Sequence, residues 1–246
     1  MELKGRTALV TGAGGSIGSA IACALASEGA TIIALDRDED VLSAIAGRLD
    51  GICHPVGVDL RDQEKLEAVA QDLVSEHGRI DILVNNAGIL SGDKLAAVTL
   101  PDWHELMRIN VDAAMILTRA LVPGMRENGW GRLVNMTSFA WKSGGLTAGT
   151  AYAVSKAALV GLTYSAAREL APYGVTANAV APAYVLTPMI TEQLSEEDRN
   201  RQLSAIPVGR FCDPDEVAHA VRYLASPLSG FVTGMVIDMN GGLQFG

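Results

Sequence analysis

The sequence is poor in basic residues and contains only three cysteines. Its 19 Lys and Arg are outnumbered by 28 Asp and Glu, which gives a formal net charge of −9. Proteins that bind a nucleic-acid backbone depend on clusters of Lys and Arg, so this balance argues against a nucleic-acid partner. Cys23, Cys53 and Cys212 are odd in number, far apart and in no CxxC pattern. They therefore indicate reduced thiols, and neither a disulfide framework nor a metal site.

Long apolar runs are also missing. Gly, Pro or charged residues interrupt every apolar stretch before it reaches the ~20 residues that a bilayer span requires, so we expect no contact with a membrane. The chain does not open with the basic and apolar regions of a secretory signal, and a cytoplasmic location is expected. With 246 residues, 49% of them apolar, the sequence can form one domain with a core of its own.

Short apolar runs alternate with longer segments of helical period over residues 1–246, which indicates a single α/β domain. Most of the short runs are apolar throughout, as expected for strands that are buried on both faces of a parallel sheet. The predicted strands are Thr7–Val10, Thr31–Leu35, Ile52–Val58, Ile82–Asn85, Leu133–Met136, Thr176–Val180 and Val236–Met239. The predicted helices are Ile17–Glu28, Glu39–Leu49, Asp62–His77, Asp102–Glu127, Ala151–Ala171 and Pro214–Ala225. The pattern predicts a doubly wound parallel sheet of about seven strands.

One segment breaks this alternation. Residues 183–207 carry several charged side chains between two prolines and match neither a strand nor a buried helix. Because long connections in compact domains are usually functional, we expect this segment to form a mobile lid over the substrate.

A glycine-rich turn follows the first predicted strand and leads into a helix. The turn reads Thr11-Gly12-Ala13-Gly14-Gly15-Ser16-Ile17-Gly18. Glycines allow backbone N–H groups to approach a pyrophosphate, and the N-terminus of the helix adds roughly half a positive charge. An ordinary tight turn is the alternative, but the order of strand, glycines and helix favours a nucleotide site.

Asp36 ends the second predicted strand, where a carboxylate can accept hydrogen bonds from the ribose hydroxyls of an adenosine. A 2′-phosphate would meet a like charge there, so the sequence favours NAD over NADP. Arg37 leaves the alternative open, because its side chain could turn towards a 2′-phosphate or remain a solvated charge.

Further polar and small residues lie at the carboxyl ends of the next two strands. Asp59-Leu60 follows the third strand, and Asn85-Asn86-Ala87-Gly88 ends the fourth. Open α/β sheets bind ligands at this edge, so we expect Asp59 to accept from the adenine and the small residues to lie against the adenosine. Ordinary caps between strand and helix are the alternative.

Tyr152 and Lys156 are four residues apart at the start of a predicted helix, so their side chains project from one face. A cation ~4 Å from a phenol at an effective dielectric of ~20 would contribute about 4 kcal/mol and lower the phenol pKa towards neutrality. Alone, such a pair is common on helix surfaces. Ser138 follows the fifth strand, where it could donate to a carbonyl oxygen or form a local turn. Asn110 lies within a long predicted helix, although Asn is a mediocre helix former. Its presence there indicates a specific role, such as holding a water molecule or bending the helix.

In their order along the chain, these motifs resemble the short-chain dehydrogenase/reductase family, together with Pro182, Thr233-Gly234 and Gly241-Gly242. The resemblance covers the whole chain and implies a Rossmann-type domain. It implies that Tyr152 exchanges a proton with the substrate, that Ser138 polarises its carbonyl, that Lys156 binds the nicotinamide ribose and that Asn110 holds a relay water. The cofactor-binding residues implied are Gly12, Gly14, Gly15, Ser16, Ile17, Gly18, Asp36, Arg37, Asp59, Leu60, Asn86, Ala87, Gly88, Tyr152, Lys156, Pro182, Val185 and Thr187.

Two residues depart from the family pattern. Ser16 stands where glycine is usual, and Ala183 follows Pro182 where Pro-Gly is usual. A Cβ at residue 16 could crowd a pyrophosphate or place a hydroxyl on it.

The predicted reaction is reversible oxidation of a secondary alcohol by hydride transfer to NAD. The segment Phe139–Thr150 and the lid are expected to determine the substrate, and the candidate contacts are Trp141, Lys142, Tyr184, Met189 and Ile190. Trp141 could stack on a ring or belong to the core, and Lys142 could pair with a substrate anion or remain solvated. The family resemblance includes sugar and polyol dehydrogenases and 3-oxoacyl-acyl-carrier-protein reductases. An acyl carrier protein is acidic, and an acidic chain would have to gather Arg126, Arg132 and Arg168 on one face to dock it, so a small polyol is preferred. A nucleotide-binding protein without turnover is the alternative from another class.

The segment Ala151–Ala171 is rich in Ala, Gly and Ser beyond its Tyr–Lys face. Helices with so little polar surface are normally covered on all sides, either within the monomer or by another subunit. The family resemblance implies a homotetramer.

Overall fold

The computed structural model describes residues 1–49, 51–188 and 195–245 and contains a seven-stranded parallel sheet. The strands are β1 (Thr7–Thr11), β2 (Thr31–Asp36), β3 (Cys53–Gly57), β4 (Ile82–Asn85), β5 (Gly131–Met136), β6 (Val175–Pro182) and β7 (Val236–Met239). Their order across the sheet is β3-β2-β1-β4-β5-β6-β7. This confirms the predicted α/β fold with a doubly wound sheet, and every predicted strand is present.

The helices that connect the strands are α1 (Ser16–Ser27), α2 (Glu39–Arg48), α3 (Gln63–His77), α4 (Leu100–Met107), α5 (Ala113–Glu127), α6 (Ala140–Ser143), α7 (Thr150–Leu170), α8 (Glu196–Ala205) and α9 (Pro214–Ala225). A π-helical segment, Arg108–Asp112, joins α4 to α5. The single helix predicted over Asp102–Glu127 is therefore wrong in detail, because one π turn interrupts it.

Two apolar cores cover the two faces of the sheet. One contains residues of α1, α2 and α9 packed on β1, β2 and β4, including Ile21, Leu25 and Val221. The other contains residues of α3, α5 and α7, including Leu66, Leu117 and Leu170. β1, β4, β5 and β6 lie inside the sheet and are buried almost throughout. The edge strand β3 is largely exposed and tolerates Pro55, which cannot donate to a neighbouring strand.

Because all strands are parallel, their carboxyl ends meet at one edge of the sheet. Crossing from β1 to β4 reverses the direction in which the strand order grows, which is the position where open α/β sheets hold ligands. The segment 183–207, predicted as a lid, includes α8 with Ser195 as its N-cap. Residues 189–194 of that segment lie outside the described residues.

Candidate active site

The glycine-rich turn after β1 is held by side chains of two strands. The Thr11 hydroxyl accepts hydrogen bonds from the backbone N–H groups of Asn86 and Ala87, both at 3.0 Å. The Asn86 amide donates to the carbonyls of Thr11 and Gly12 at 2.9 and 3.2 Å. A Cβ on Gly18 would lie 2.0 Å from the Gly12 carbonyl oxygen, so only glycine allows this approach of helix and turn. These contacts fix the turn at the mouth of the sheet edge.

The first turn of α1 offers its backbone N–H groups to a ligand. Its N-cap, Gly15, supplies no side-chain hydrogen bond, and the turn carries no acidic residue. Backbone donors and the helix dipole together favour an anion such as a pyrophosphate at this point. Ser16 does not have a positive φ, so its side chain causes no backbone strain there.

Asp36, at the end of β2, forms a hydrogen bond with the glycine-rich turn. Its Oδ2 accepts from the Gly14 N–H at 3.1 Å, and its Oδ1 accepts from the N–H groups of Arg37 and Asp38 at 2.8 and 3.3 Å. A Cβ on Gly14 would lie 2.1 Å from a methyl carbon of Val41. Gly14 therefore serves to bring the turn against Asp36 and α2.

A groove of about 540 Å³ runs along the edge of the sheet from this turn. Its lining contains these predicted cofactor residues: Gly12, Gly15, Ser16, Ile17, Gly18, Asp36, Arg37, Asp59, Leu60, Asn86, Ala87, Gly88 and Thr187. Gly14 is absent from the lining, because it faces Val41 and Asp36. The Asp59 carboxylate is engaged by Arg61, with an Nη2–Oδ2 distance of 2.7 Å, and this hydrogen bond lowers the pKa of Asp59. The structure therefore brings most of the predicted cofactor residues to one groove.

A second cavity, of about 600 Å³, adjoins this groove and shares five of its lining residues with it. Among the residues that line it are Ser138, Tyr152, Lys156, Pro182, Val185 and Thr187. The chain therefore brings three of the four predicted catalytic side chains to one cavity, next to the mouth of the glycine turn.

Tyr152 and Lys156 lie on one face of α7, with the lysine Nζ 5.6 Å from the centre of the phenol ring. Lys156 is buried, and its Nζ donates to the Met136 carbonyl at 2.9 Å. Burial lowers the pKa of Lys156 to about 8. Burial raises the pKa of Tyr152, while a hydrogen bond with the Ser138 side chain acts in the opposite direction. The expectation that the phenol pKa moves towards neutrality is thus not met, because desolvation is the largest effect on this phenol.

Asn110, the fourth predicted residue, lies behind the cavity in the π-helical segment. Its Oδ1 accepts from the Ile89 N–H at 2.8 Å, and its Nδ2 donates to the Ile89 carbonyl at 3.0 Å and to Ser155 Oγ at 3.1 Å. The Ser155 hydroxyl in turn donates to the Tyr152 carbonyl at 2.8 Å. Asn110 therefore links the loop after β4 to the first turn of α7.

Of the five residues predicted to contact substrate, the structure describes three, and one of these lines the cavity. Tyr184 lines the cavity and has a φ of +46°. Lys142 does not line it, and its ammonium forms an ion pair with Asp238 at 2.8 Å. Trp141 does not line it either. Met189 and Ile190 lie outside the described residues.

The arginines that docking of an acidic carrier would require do not all reach the surface. Arg132 is only 2% exposed, and it stacks on Trp130 with its guanidinium carbon 4.3 Å from the ring centre. Arg126 lies over the ring of Tyr173 at 4.0 Å, and Arg168 is exposed. Arg132 cannot contribute to a basic surface patch.

The described part of the chain contains neither a metal site nor a membrane span. Over residues 1–49, 51–188 and 195–245, no group of three or more His, Cys, Asp or Glu side chains could hold a metal ion. In the same ranges no helix has the length and hydropathy to cross a bilayer.

Sequence reasoning identified some segments of the cavity wall but not their individual residues. Ser143, Leu146 and Thr147 lie in the predicted substrate segment Phe139–Thr150, and Gln202 lies in the predicted lid. Lys94 and Ser155 were missed. Ser155 had a detectable signal, because it lies three residues after Tyr152 and next to Lys156, whereas Lys94 lies on a loop that no periodic pattern marks.

Known proteins are similar to this chain over almost its whole length. A family model described as enoyl-(acyl carrier protein) reductase matches residues 12–244. The 3-oxoacyl-acyl-carrier-protein reductase of Thermotoga maritima is 39% identical over 246 residues, and that of Vibrio cholerae is 40% identical over 244 residues; each alignment covers 99% of both chains. A solved structure from Beutenbergia cavernae, described as a putative NAD(P)-dependent gluconate 5-dehydrogenase with NADP bound at low occupancy, is 40% identical and covers 98% of both chains with a TM-score of 0.90.

Proposed function

We propose that this chain, which belongs to the short-chain dehydrogenase/reductase family, reduces the ketone of an aliphatic 3-oxoacyl thioester with a reduced nicotinamide cofactor. The observation that carries the proposal is the lining of the substrate cavity. Its described walls are mainly apolar, and the one ionisable cation among them is the Lys156 ammonium of the reacting group. An aliphatic acyl chain suits such walls, whereas a polyhydroxy acid requires a cation and many polar partners.

One polar side chain of the cavity lining fits a substrate with a second carbonyl. Ser143 Oγ is buried and has no hydrogen-bond partner within the described part of the chain. Buried polar atoms normally find a partner, and a thioester carbonyl would supply an acceptor for the Ser143 hydroxyl. This favours a 3-oxoacyl thioester over a simple ketone.

The residues of the cavity then have separate roles in the reduction. The cofactor, when bound in the groove, supplies the hydride that the carbonyl carbon receives. The Ser138 hydroxyl donates a hydrogen bond to the carbonyl oxygen and polarises it. Tyr152 donates the proton that this oxygen needs to become an alcohol, and its raised pKa keeps the proton on the phenol near pH 7. Lys156, charged below a pH of about 8, stabilises the negative charge that the phenol acquires.

We propose NADH as the preferred cofactor, on the evidence of Asp36. Its carboxylate is held by three backbone N–H groups at the end of β2, where a 2′-phosphate would meet its charge. The related Beutenbergia cavernae structure is described with NADP, and Arg37 in the groove lining is the residue that would favour it here.

A panel assay separates the candidate substrates. Acyl-carrier-protein-linked and coenzyme-A-linked 3-oxoacyl thioesters, gluconate and simple polyols are each offered with both cofactors, in the appropriate redox state. The proposal expects faster turnover of the thioesters, followed by the absorbance of the reduced nicotinamide. Preference for gluconate or a polyol would support the second candidate, a sugar-alcohol dehydrogenase, which rests on the Beutenbergia cavernae structure.

A single substitution tests the chemistry within that assay. Replacing Tyr152 with Phe removes the proton donor and keeps the ring, so we expect turnover to fall by about 10²–10⁴-fold while cofactor affinity changes little. Cofactor affinity is measured by nicotinamide fluorescence. Equal turnover in Tyr152→Phe contradicts the mechanism, and cofactor binding without turnover of any substrate by the unaltered protein would point to a nucleotide-binding protein without catalysis.

A further inference from the structure

One lysine outside the proposed catalytic set makes an unusual group of contacts. The Nζ of Lys94 donates to the carbonyl oxygens of Gly145 and Ala148, both at 2.6 Å, and lies 3.5 Å from that of Leu146. Lys94 belongs to the segment between β4 and α4, and its three acceptors belong to the loop between α6 and α7. One ammonium therefore contacts three carbonyl oxygens of a loop that is distant in the sequence.

The loop that Lys94 holds is part of the wall of the substrate cavity. Leu146, Thr147 and Ala148 line that cavity. The loop ends at α7, whose first turn carries Tyr152. Any change in the path of this loop would alter the space beside the proposed proton donor.

The backbone of the loop turns its carbonyls towards one point. Gly144 and Gly145 both have a positive φ, at +69° and +76°, a conformation that other residues rarely adopt. A Cβ on Gly145 would lie 2.8 Å from the Ala148 carbonyl oxygen, so the chain closes on itself there. The negative ends of several carbonyl dipoles repel one another unless a cation lies between them.

The end of the loop is fixed by backbone hydrogen bonds to the segment between β4 and α4, and these bonds do not involve the Lys94 side chain. The N–H of Gly149 donates to the Ser91 carbonyl at 2.7 Å, and that of Thr150 to the Asp93 carbonyl at 2.9 Å. These backbone bonds hold the entry to α7. Within residues 145–148, the Gly145 N–H donates to the Ala140 carbonyl at 3.1 Å, and the ammonium of Lys94 is the charged contact that restrains the segment.

We propose that Lys94 is a positioning residue that acts as a built-in cation for the Gly145–Ala148 loop and thereby sets the shape of the substrate cavity. An ammonium has three donors, which matches three carbonyl acceptors, and hydrogen bonds from a charged donor are stronger than neutral ones. The consequence for catalysis rests on the proposed function, whereas the consequence for loop order does not.

The test compares Lys94→Met with Lys65→Met, which removes the same charge from an exposed position on α3. In Lys94→Met we expect hydrogen exchange of the 144–149 amides to accelerate at least about tenfold. We also expect KM for a 3-oxoacyl thioester to rise about five- to tenfold, while kcat and the cofactor Kd change less than about twofold. Lys65→Met should match the unaltered protein in every measurement.

Chemical rescue provides a readout that a general loss of stability would not produce. Lys94→Ala lacks the propylammonium part of the side chain, so added propylammonium should restore slow exchange of the 144–149 amides and, with it, the lower KM. Tetramethylammonium carries the same charge without N–H donors and should restore neither.

The outcomes distinguish this proposal from the proposed function. Unchanged loop exchange and unchanged KM in Lys94→Met overturn the role of Lys94, as does rescue by tetramethylammonium to the same extent. If the unaltered protein reduces no 3-oxoacyl thioester, the proposed function fails, and the exchange experiment still decides whether Lys94 orders the loop.

Discussion

Burial has opposite effects on the two titrating side chains of the reacting pair. It raises the pKa of the Tyr152 phenol and lowers that of the Lys156 ammonium to about 8, because each group loses water that would stabilise its charged form. Near pH 7 the phenol therefore keeps its proton and most of the lysine keeps its charge. This state is suited to giving a proton to a ketone oxygen, which is the direction of reduction.

The pH dependence of reduction follows from the lysine. Because the pKa of Lys156 is about 8 and not its ordinary 10.5, its charge is present below pH 8 and is lost as pH rises through that value. We expect kcat/KM for ketone reduction to fall above a pH of about 8, with a profile measured at saturating cofactor. A profile that stays flat to a pH well above 9 would contradict this assignment.

We predict that one residue, Asp36, decides the choice between NADH and NADPH. Asp36→Asn removes the charge that a 2′-phosphate would meet but keeps a side chain that can accept from the Gly14 N–H. We expect the ratio of NADPH to NADH affinity to rise about tenfold or more, measured by titration of nicotinamide fluorescence.

A control for that titration is Asp40→Asn, an exposed carboxylate in the first turn of α2. It removes the same charge near the groove and should leave the ratio unchanged. If the unaltered protein binds NADPH more tightly than NADH, the role given to Asp36 is wrong.

At the scale of elements, α9 offers a direct test of what holds a helix in place. Asp213 accepts from the N–H of Asp215 at 2.9 Å, and the Glu216 carboxylate accepts from the N–H of Asp213 at 2.9 Å, which forms a capping box. Asp213→Ala should lower the free energy of unfolding by about 1 kcal/mol, measured by urea denaturation at fixed protein concentration. Asp215→Ala serves as the control, because Asp215 lies two residues further along the chain and its side chain is not the cap. This substitution should lower the free energy of unfolding clearly less.

Strands and helices were predictable where the periodicity of apolar residues is strong. They were missed where a local contact determines the backbone conformation. All seven strands follow from apolar runs, and the cap of α9 from Asp213 before Pro214. Asn110 marked the helix as a place of local bending, but the π form of Arg108–Asp112 was not predicted, because the hydrogen bonds of Asn110 with Ile89 are set by the folded structure. α8 was taken as part of a lid because it has no buried residue and hence no apolar face to recognise.

The candidate site shows the same limit. The glycine turn, Asp36, Ser138 and the Tyr152–Lys156 pair carry chemical signals that a sequence displays. The contacts of Lys94 join residues more than fifty positions apart and depend on the path of a loop. The direction of the Tyr152 pKa depends on how much water the folded cavity excludes, and spacing along a helix does not contain that information.

At the scale of the whole molecule, one face of α7 is not covered by any of the residues that the structure describes. Val154, Ala157, Gly161 and Tyr164 are exposed and lie on one side of the helix. Small side chains allow a second helix to approach closely, and we predict that this face packs against another subunit in a homotetramer. The assembly is measured by light scattering of the purified protein.

A substitution locates that contact. Ala157→Arg places a long charged side chain in the middle of the face and should yield a smaller species. Ala68→Arg, at an exposed position of α3, should leave the assembly unchanged. A monomer in the unaltered protein, or an unchanged mass in Ala157→Arg, would show that α7 does not form the contact.

The close approach of Gly14 to Val41 limits how this protein could acquire a different cofactor. A basic side chain in the glycine turn would be the simplest way to accommodate a 2′-phosphate, yet a Cβ at residue 14 would overlap the Val41 side chain and crowd Asp36. A smaller residue at position 41 has to come first. In evolution or in the laboratory, the order of the two changes therefore matters, and a library that varies position 14 alone should contain no well-folded variant with such a side chain.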